Sequence, residues 1–209
     1  MIKVAIFTEG QTEQLFACEA IQQLADRTNY YIVNERKNGK GDRLIKIDYG
    51  KIGDPDNHDI YFQILNCDSD SQVLSTIREE YASLVAADFT HIIGLRDVRP
   101  IKRENMSKLF ESMLKYKPIG AVDPLIVIAI MEIESWLIAE NSHFSKVDQS
   151  LTPETILART SIDITVNSEH FDEPFEVLEC IYASAGKIYS KSKEDVQRSC
   201  PMEWCSWIS

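Results

Sequence analysis

Carboxylates stand immediately after several of the apolar runs in this chain. Glu9 and Glu13 follow the run at 3–7, in the segment Thr8-Glu9-Gly10-Gln11-Thr12-Glu13. Asp68 and Asp70 follow the run at 60–65, Asp97 follows the run at 90–95, and Glu132 and Glu134 follow the run at 125–131. Turns that converge at one rim would crowd these carboxylates, which repel one another unless a hard cation neutralises them. Oxygen donors of this kind suit Mg²⁺ or Mn²⁺. Two such ions activate a water and stabilise the leaving oxygen of a phosphodiester. Each acid also has a plain structural reading. Glu13 in a first helical turn complements the helix dipole. Asp68 and Asp70 lie in a Ser/Asp-rich stretch suited to helix capping. Asp97 alone is a turn residue, and Glu132 and Glu134 alone are surface charges at a helix start.

The elements that must position these acids are legible as alternating strands and helices. Lys3-Val4-Ala5-Ile6-Phe7 is short and apolar, with β-branched residues at alternate places, and reads as a buried strand. From Gln11, the positions Leu15, Phe16, Ala20, Ile21 and Leu24 recur at helical spacing. The strand–turn–helix unit is the opening of a doubly wound sheet. Further strands are predicted at 30–33, 60–65, 90–95 and 125–131. The last of these is apolar enough to be a central parallel strand. Helices are predicted through Val73, Ile77, Tyr81, Leu84 and Val85, through 105–115 with Met106, Leu109, Phe110 and Met113 inward, and from Glu132 to Ala139. Ser71 or Asp70 is placed to cap the first of these. Residues 37–59 are expected to form a long loop with a short helix around Leu44-Ile45. After residue 140 the pattern turns wholly helical, with Pro153 and Pro174 at helix starts. The expected fold class is α/β, one central parallel sheet flanked by helices over residues 1–140, with a helical appendage at 141–209. Ligands of such sheets sit beyond the carboxyl ends of the strands, where the acids lie.

The chain carries 33 acidic and 22 basic residues and a formal net charge of -11, which argues against a standing basic groove for nucleic acid. A metal-binding set of carboxylates adds to that negative charge, and a basic partner subunit can supply phosphate contacts. The five cysteines are scattered with no CxxC pair, which points to reduced thiols and away from zinc. The absence of a leader-like or membrane-spanning stretch predicts a cytoplasmic protein. Gly39-Lys40-Gly41 lacks P-loop spacing. His58, His91, His143 and His170 show no metal-ligand spacing, and Trp136, Trp204 and Trp207 are expected to pack.

Glu9-Gly10-Gln11-Thr12-Glu13, then Ile93-Gly94-Leu95-Arg96-Asp97-Val98-Arg99-Pro100, then Glu132-Ile133-Glu134-Ser135-Trp136-Leu137 form a series that resembles the TOPRIM fold of topoisomerases, primases and overcoming-lysogenization-defect nucleases. It is similar above all to small stand-alone TOPRIM-like proteins. The resemblance covers residues 1–140 well and the tail more loosely. It implies Mg²⁺-dependent (or Mn²⁺-dependent) chemistry on DNA or RNA, and service in anti-phage defence beside an ABC- or SMC-like ATPase. By position it implies Glu9 as ligand or general acid/base, Glu13 as the second acid of the first phrase, Asp97 as the first Asp of an Asp-x-Asp, and Glu134 as the later glutamate. Where the second Asp is expected this chain has Arg99, which cannot bind a metal. Arg99, and Arg96 beside it, would neutralise an acid or hold a phosphate. A literal Asp-x-Asp, Asp68-Ser69-Asp70, lies one strand earlier. It compensates across the rim, or the site holds one metal, or catalysis has been lost. The expectation is a metal-dependent nuclease. The alternatives are a non-catalytic module docking on an ATPase and a hydrolase of small phosphate esters.

Overall fold

The computed structural model describes residues 1–25, 28–38, 45–69 and 71–199. Asp70, the Gly39-Lys40-Gly41 segment, Leu44, Trp204 and Trp207 lie outside the described residues. The chain divides into two compact units. The first comprises Met1–Arg96 and Met106–Ile128, and the second Asp97–Asn105 with the residues from Ala129 onward.

A mostly parallel six-stranded sheet organises the α/β fold. Its strands are β1 (Ile2–Thr8), β2 (Tyr30–Asn38), β3 (Ile45–Gly53), β4 (Ile60–Asn66), β5 (His91–Asp97) and β6 (Leu125–Ala129), in the order β3-β2-β4-β1-β5-β6. β1 runs parallel to both β4 and β5, with Thr8 level with Asn66 on one side and Leu95 on the other. Alternation along β1 sends successive side chains to opposite faces. Val4 and Ile6 pack with Ala17, Cys18 and Ile21 of helix α1 (Gln11–Leu24). Ala5 and Phe7 pack with Val73, Ile77 and Leu84 of helix α2 (Gln72–Ala86). The approach of α2 to β5 is close enough to require a glycine. A Cβ on Gly94 would lie 2.8 Å from Ile77 Cδ1 and 3.2 Å from Val73 Cγ1. Helix α3 (Met106–Tyr116) completes the first unit with Leu109 and Met113 buried.

Two expectations need correction. Residues 45–53, which fall in the loop expected at 37–59, form a strand antiparallel to β2, and Ile45 opens that strand instead of lying in a short helix. Ile45, Ile47 and Tyr49 alternate with Lys46 and Asp48, a period of two that the surrounding Gly and Lys residues obscure. The register shifts between Asn34 and Glu35, and Gly50 and Gly53 take φ of 135° and 96°. The bulge absorbs one residue of the alternation. The second correction concerns β6, which lies at the end of the sheet with Leu125 59% exposed. Its apolar run continues past the strand into Met131 and Ile133, both buried, so the run serves two different environments and is not a single central strand.

The second unit is helical among the described residues outside the strand ends. It contains α4 (Glu134–Ala139), α5 (Phe144–Val147), α6 (Pro153–Thr160), α7 (Pro174–Ala183) and α8 (Lys193–Ser199). Pro153 and Pro174 open α6 and α7, and Thr152 Oγ1 accepts a bond from Thr155 N–H at the first of these starts. A relay of aromatic contacts forms its core. Phe144 meets Tyr182 edge-on at 6.5 Å, Tyr182 meets Tyr189 at 5.3 Å, and Tyr189 meets Phe175 at 5.8 Å between ring centroids. Such pairs contribute about 0.5–1.5 kcal/mol beyond their area. No helix among the described residues is long and apolar enough to cross a membrane.

Candidate functional site

In the first unit, Glu9 follows β1 directly and is partly buried, while Glu13 is buried at 5% exposure in the first turn of α1. The Gly10 N–H donates to Glu13 Oε2 at 2.8 Å, so Glu13 folds back over the helix start as the carboxylate of a capping box does. Gly10 is extended at φ -143°, a conformation open to any residue. Its requirement is room, since a Cβ there would stand 3.1 Å from Glu13 Oε2. Next in α1, Gln14 is buried and donates to the Glu35 carbonyl at 3.0 Å, tying α1 to β2.

Asp68, after β4, is held in a turn of its own. Its N–H donates to Asn66 Oδ1 at 2.8 Å, its φ is 66°, and its carboxylate pairs with Arg36 at 2.6 Å. Asp and Asn tolerate this left-handed geometry better than most residues. Both partners are substantially exposed, so the pair contributes little to stability. Ser71 takes the N-cap position of α2 without a capping side-chain bond. Arg96 is buried at 6% exposure, with Nη1 3.8 Å from Met113 Sδ of α3.

In the second unit, Asp97 ends β5 at 7% exposure. Backbone bonds from Val98 N–H to Ala129 O (3.1 Å) and from Arg99 N–H to Met131 O (2.9 Å) carry the Asp97-Val98-Arg99 phrase alongside the one that holds Glu132 and Glu134. Glu132 is mostly buried, and its Oε2 accepts the Phe175 N–H at 2.9 Å in the first turn of α7. Burial pushes its pKa up, and the neighbouring Glu134 adds to the rise. The Phe175 N–H, Lys191 and Arg99 act in the opposite direction. Arg99 Nε is 4.0 Å from Glu132 Oε1, and Arg99 Nη1 pairs with Glu173 and donates to the Asp172 carbonyl at 3.1 Å. These acids hold the guanidinium firmly protonated.

Glu134 is wholly buried. Its Oε1 accepts from the Tyr189 hydroxyl at 3.2 Å and from Lys191 Nζ at 2.9 Å, while its buried Oε2 has no hydrogen-bond partner among the described residues. Tyr189 is itself buried, and its phenol is pushed up by burial and then by the Glu134 charge, so it serves as a donor. Lys191 lies 4.6 Å from the Phe175 ring centroid and takes a left-handed φ of 55°. Non-glycine residues adopt that conformation at a cost of about 1–2 kcal/mol. Neither Tyr189 nor Lys191 is marked by a sequence motif. Glu134 and Tyr189 stand 55 residues apart, and no periodicity joins them.

Each unit thus gathers part of the expected set. Glu9 and Glu13 lie in the first, and Asp97, Arg99, Glu132 and Glu134 in the second. Among the described residues, no three acidic, His or Cys side chains form a group ready to hold a metal. The oxygen-only donors, and the unmatched buried Oε2 of Glu134 in particular, fit the chemistry of a hard cation. No family model matches the chain, and searches of curated proteins and of solved structures returned no match.

Proposed function

We propose that the protein is a TOPRIM-like, Mg²⁺- or Mn²⁺-dependent nuclease. One observation supports this reading above the others: Glu134 is a fully buried carboxylate with one oxygen unmatched, two residues from a second acid whose pKa is raised. Buried carboxylates close to one another are expensive to keep and concentrate at functional sites. Asp97 and Glu134 would hold the ion, and the resemblance adds Glu9 as ligand and Glu13 as ligand or general base. A bound ion would polarise the phosphodiester and supply a nucleophilic water. Arg99 would hold a phosphate oxygen through its planar guanidinium. The proposed setting is anti-phage defence with an ABC- or SMC-like ATPase.

Cleavage of plasmid, single-stranded DNA and RNA, with Mg²⁺ or Mn²⁺ and with or without the ATPase, tests this. Asp97→Asn and Glu134→Gln are expected to reduce the rate by about two orders of magnitude or more. Full activity in either variant would refute the assignment. A second reading, a non-catalytic module that docks on the ATPase, draws on the engagement of Arg99 by Glu132 and Glu173 and of Glu134 by Lys191. Calorimetry separates the two, because the module binds the ATPase tightly and takes up neither metal.

A further inference from the structure

The loop that follows Arg99 carries three cations in five residues, Arg99, Lys102 and Arg103, and all three line a cavity of about 400 Å³ within the second unit. Ligand cavities begin at roughly this size, and a lone inorganic anion would leave most of it unfilled. Ile101 and Met131 give the cavity apolar lining, and Glu104, Asp172 and Glu173 line it as well.

The two guanidiniums are fixed by backbone as well as by charge. Arg103 Nη2 donates to the carbonyls of Glu169 (2.8 Å) and Phe171 (3.0 Å), while its Nε pairs with Asp172 at 2.6 Å. Arg99 Nη1 donates to the Asp172 carbonyl. Neither Arg103 Nη1 nor Arg99 Nη2 makes a hydrogen bond to any described residue. Lys102 is exposed and pairs with no described side chain. The carboxylates that pair with the guanidiniums are themselves well exposed, 68% for Asp172 and 45% for Glu173. Exposed ion pairs contribute little, so these carboxylates can turn to water while the backbone carbonyls keep both guanidiniums in place.

We propose that this cavity binds a nucleoside monophosphate group. The forked guanidiniums and the Lys102 ammonium take the phosphate dianion, and the base lies against Ile101 and Met131. The group has two possible sources, a free mononucleotide or the 5′-phosphorylated end of a nucleic acid strand. The site deepens the nuclease reading, with which it shares only Arg99, and it needs no metal. Its test therefore runs in EDTA, where loss of cleavage has no bearing on it.

Calorimetric titration of the full chain with AMP, adenosine, inorganic phosphate, and tetrathymidylate with and without a 5′-phosphate reads the site directly. AMP or the phosphorylated tetranucleotide is expected to bind with a Kd below about 1 mM, at least tenfold tighter than the same compound lacking phosphate. The tighter of the two phosphorylated ligands identifies the source. Arg103→Gln and Lys102→Glu should each weaken binding by roughly tenfold to a hundredfold. Lys102 anchors nothing, so Lys102→Glu keeps the test valid if Arg103→Gln unfolds the 169–172 segment. Unchanged affinity in Lys102→Glu, failure of both AMP and the phosphorylated tetranucleotide to bind more tightly than their unphosphorylated counterparts, or inorganic phosphate binding as tightly as the better of the two would overturn the proposal.

Discussion

Replacing Lys191 by Met isolates the buried charge of Glu134. Methionine keeps about the same side-chain length and removes the ammonium, which lies 2.9 Å from Glu134 Oε1 and 4.6 Å from the Phe175 ring centroid. At an effective dielectric of about 20, that separation corresponds to a Coulomb energy of about 6 kcal/mol. The net effect is smaller, because Lys191 is 37% exposed and regains hydration whenever the pair is broken. Removing one partner of a fully buried pair costs about 3–5 kcal/mol, and a surface pair contributes at most about 1 kcal/mol. With one end buried and the other at the surface, Lys191→Met is expected to cost about 2–3 kcal/mol. For a chain of this size the midpoint should fall by roughly 4–12 °C. Glu134→Gln carries a separate cost, because its amide nitrogen enters the position where Oε2 has no partner. A double-mutant cycle removes that complication. Urea or thermal unfolding of wild type, both single variants and the double variant should give a coupling of about 1.5 kcal/mol or more. A coupling below about 0.5 kcal/mol would refute the reasoning, since the carboxylate would then be satisfied without its ammonium.

Two further predictions concern one group in each unit. His143 is fully buried, shares a hydrogen bond with the Glu140 carbonyl through Nδ1, and stacks on Phe144 at 4.1 Å. Burial lowers its pKa from 6.5 to about 4. A depressed folded pKa means that its contribution is complete above the unfolded value and is lost as the pH falls from about 6.5 towards 4, a swing of roughly 3 kcal/mol. Stability measured between pH 7 and 4 should therefore fall less steeply in His143→Gln than in wild type, and parallel slopes would refute this. At the other site, Glu13→Gln preserves the acceptor for the Gly10 N–H and should leave stability within about 0.5 kcal/mol, whereas Glu13→Ala should cost about 1 kcal/mol. A loss of cleavage in Glu13→Gln at unchanged stability would separate its chemical role from its capping role, and equal destabilisation by both variants would refute the capping role.

The sheet was legible where side-chain alternation and burial coincide. β1, β4 and β5 carry apolar residues dense enough to read as strands, and each runs one or two residues past the expected end, so that Asp97 closes β5 instead of following it. The start of α1 at Gln11 was legible from helical spacing, whereas the bond from the Gly10 N–H to Glu13 was not read from the sequence. β3 was not, because it is an edge strand whose alternation is interrupted by lysines, glycines and a bulge. The immediate partners of the candidate acids were illegible for a different reason. Glu132 is fixed by Phe175, Glu134 by Tyr189 and Lys191, and Arg99 and Arg103 by Asp172 and Glu173. These contacts span some forty to seventy positions, and no local period encodes them. They are set by how α7 and the polar segment before α8 return to the ends of β5 and β6 within the second unit.

Stability alone gives no reason for a carboxylate at position 134. A buried ion pair replaced by well-packed apolar groups of similar volume is often neutral, or more stable by about 1–4 kcal/mol. Here the surroundings are already apolar, with Ile133, Leu137 and Ile138 all fully buried. The chain instead retains a charge with one oxygen unmatched, matches the other with a lysine held in a left-handed conformation, and sets a second carboxylate two residues away. The unmatched oxygen, the left-handed backbone of Lys191 and the second carboxylate each oppose folding, and all three meet around one side chain. Proteins accept such local costs where a ligand or a reaction needs the group. Glu132 and Glu134 divide the burden: Glu132 takes a helix-start amide and leans towards Arg99, while Glu134 takes a phenol and an ammonium. One acid is thereby committed to fixing α7 and the Arg99 loop. The other keeps an oxygen available, which is why Glu134, more than Glu132, is the acid on which the functional reading depends.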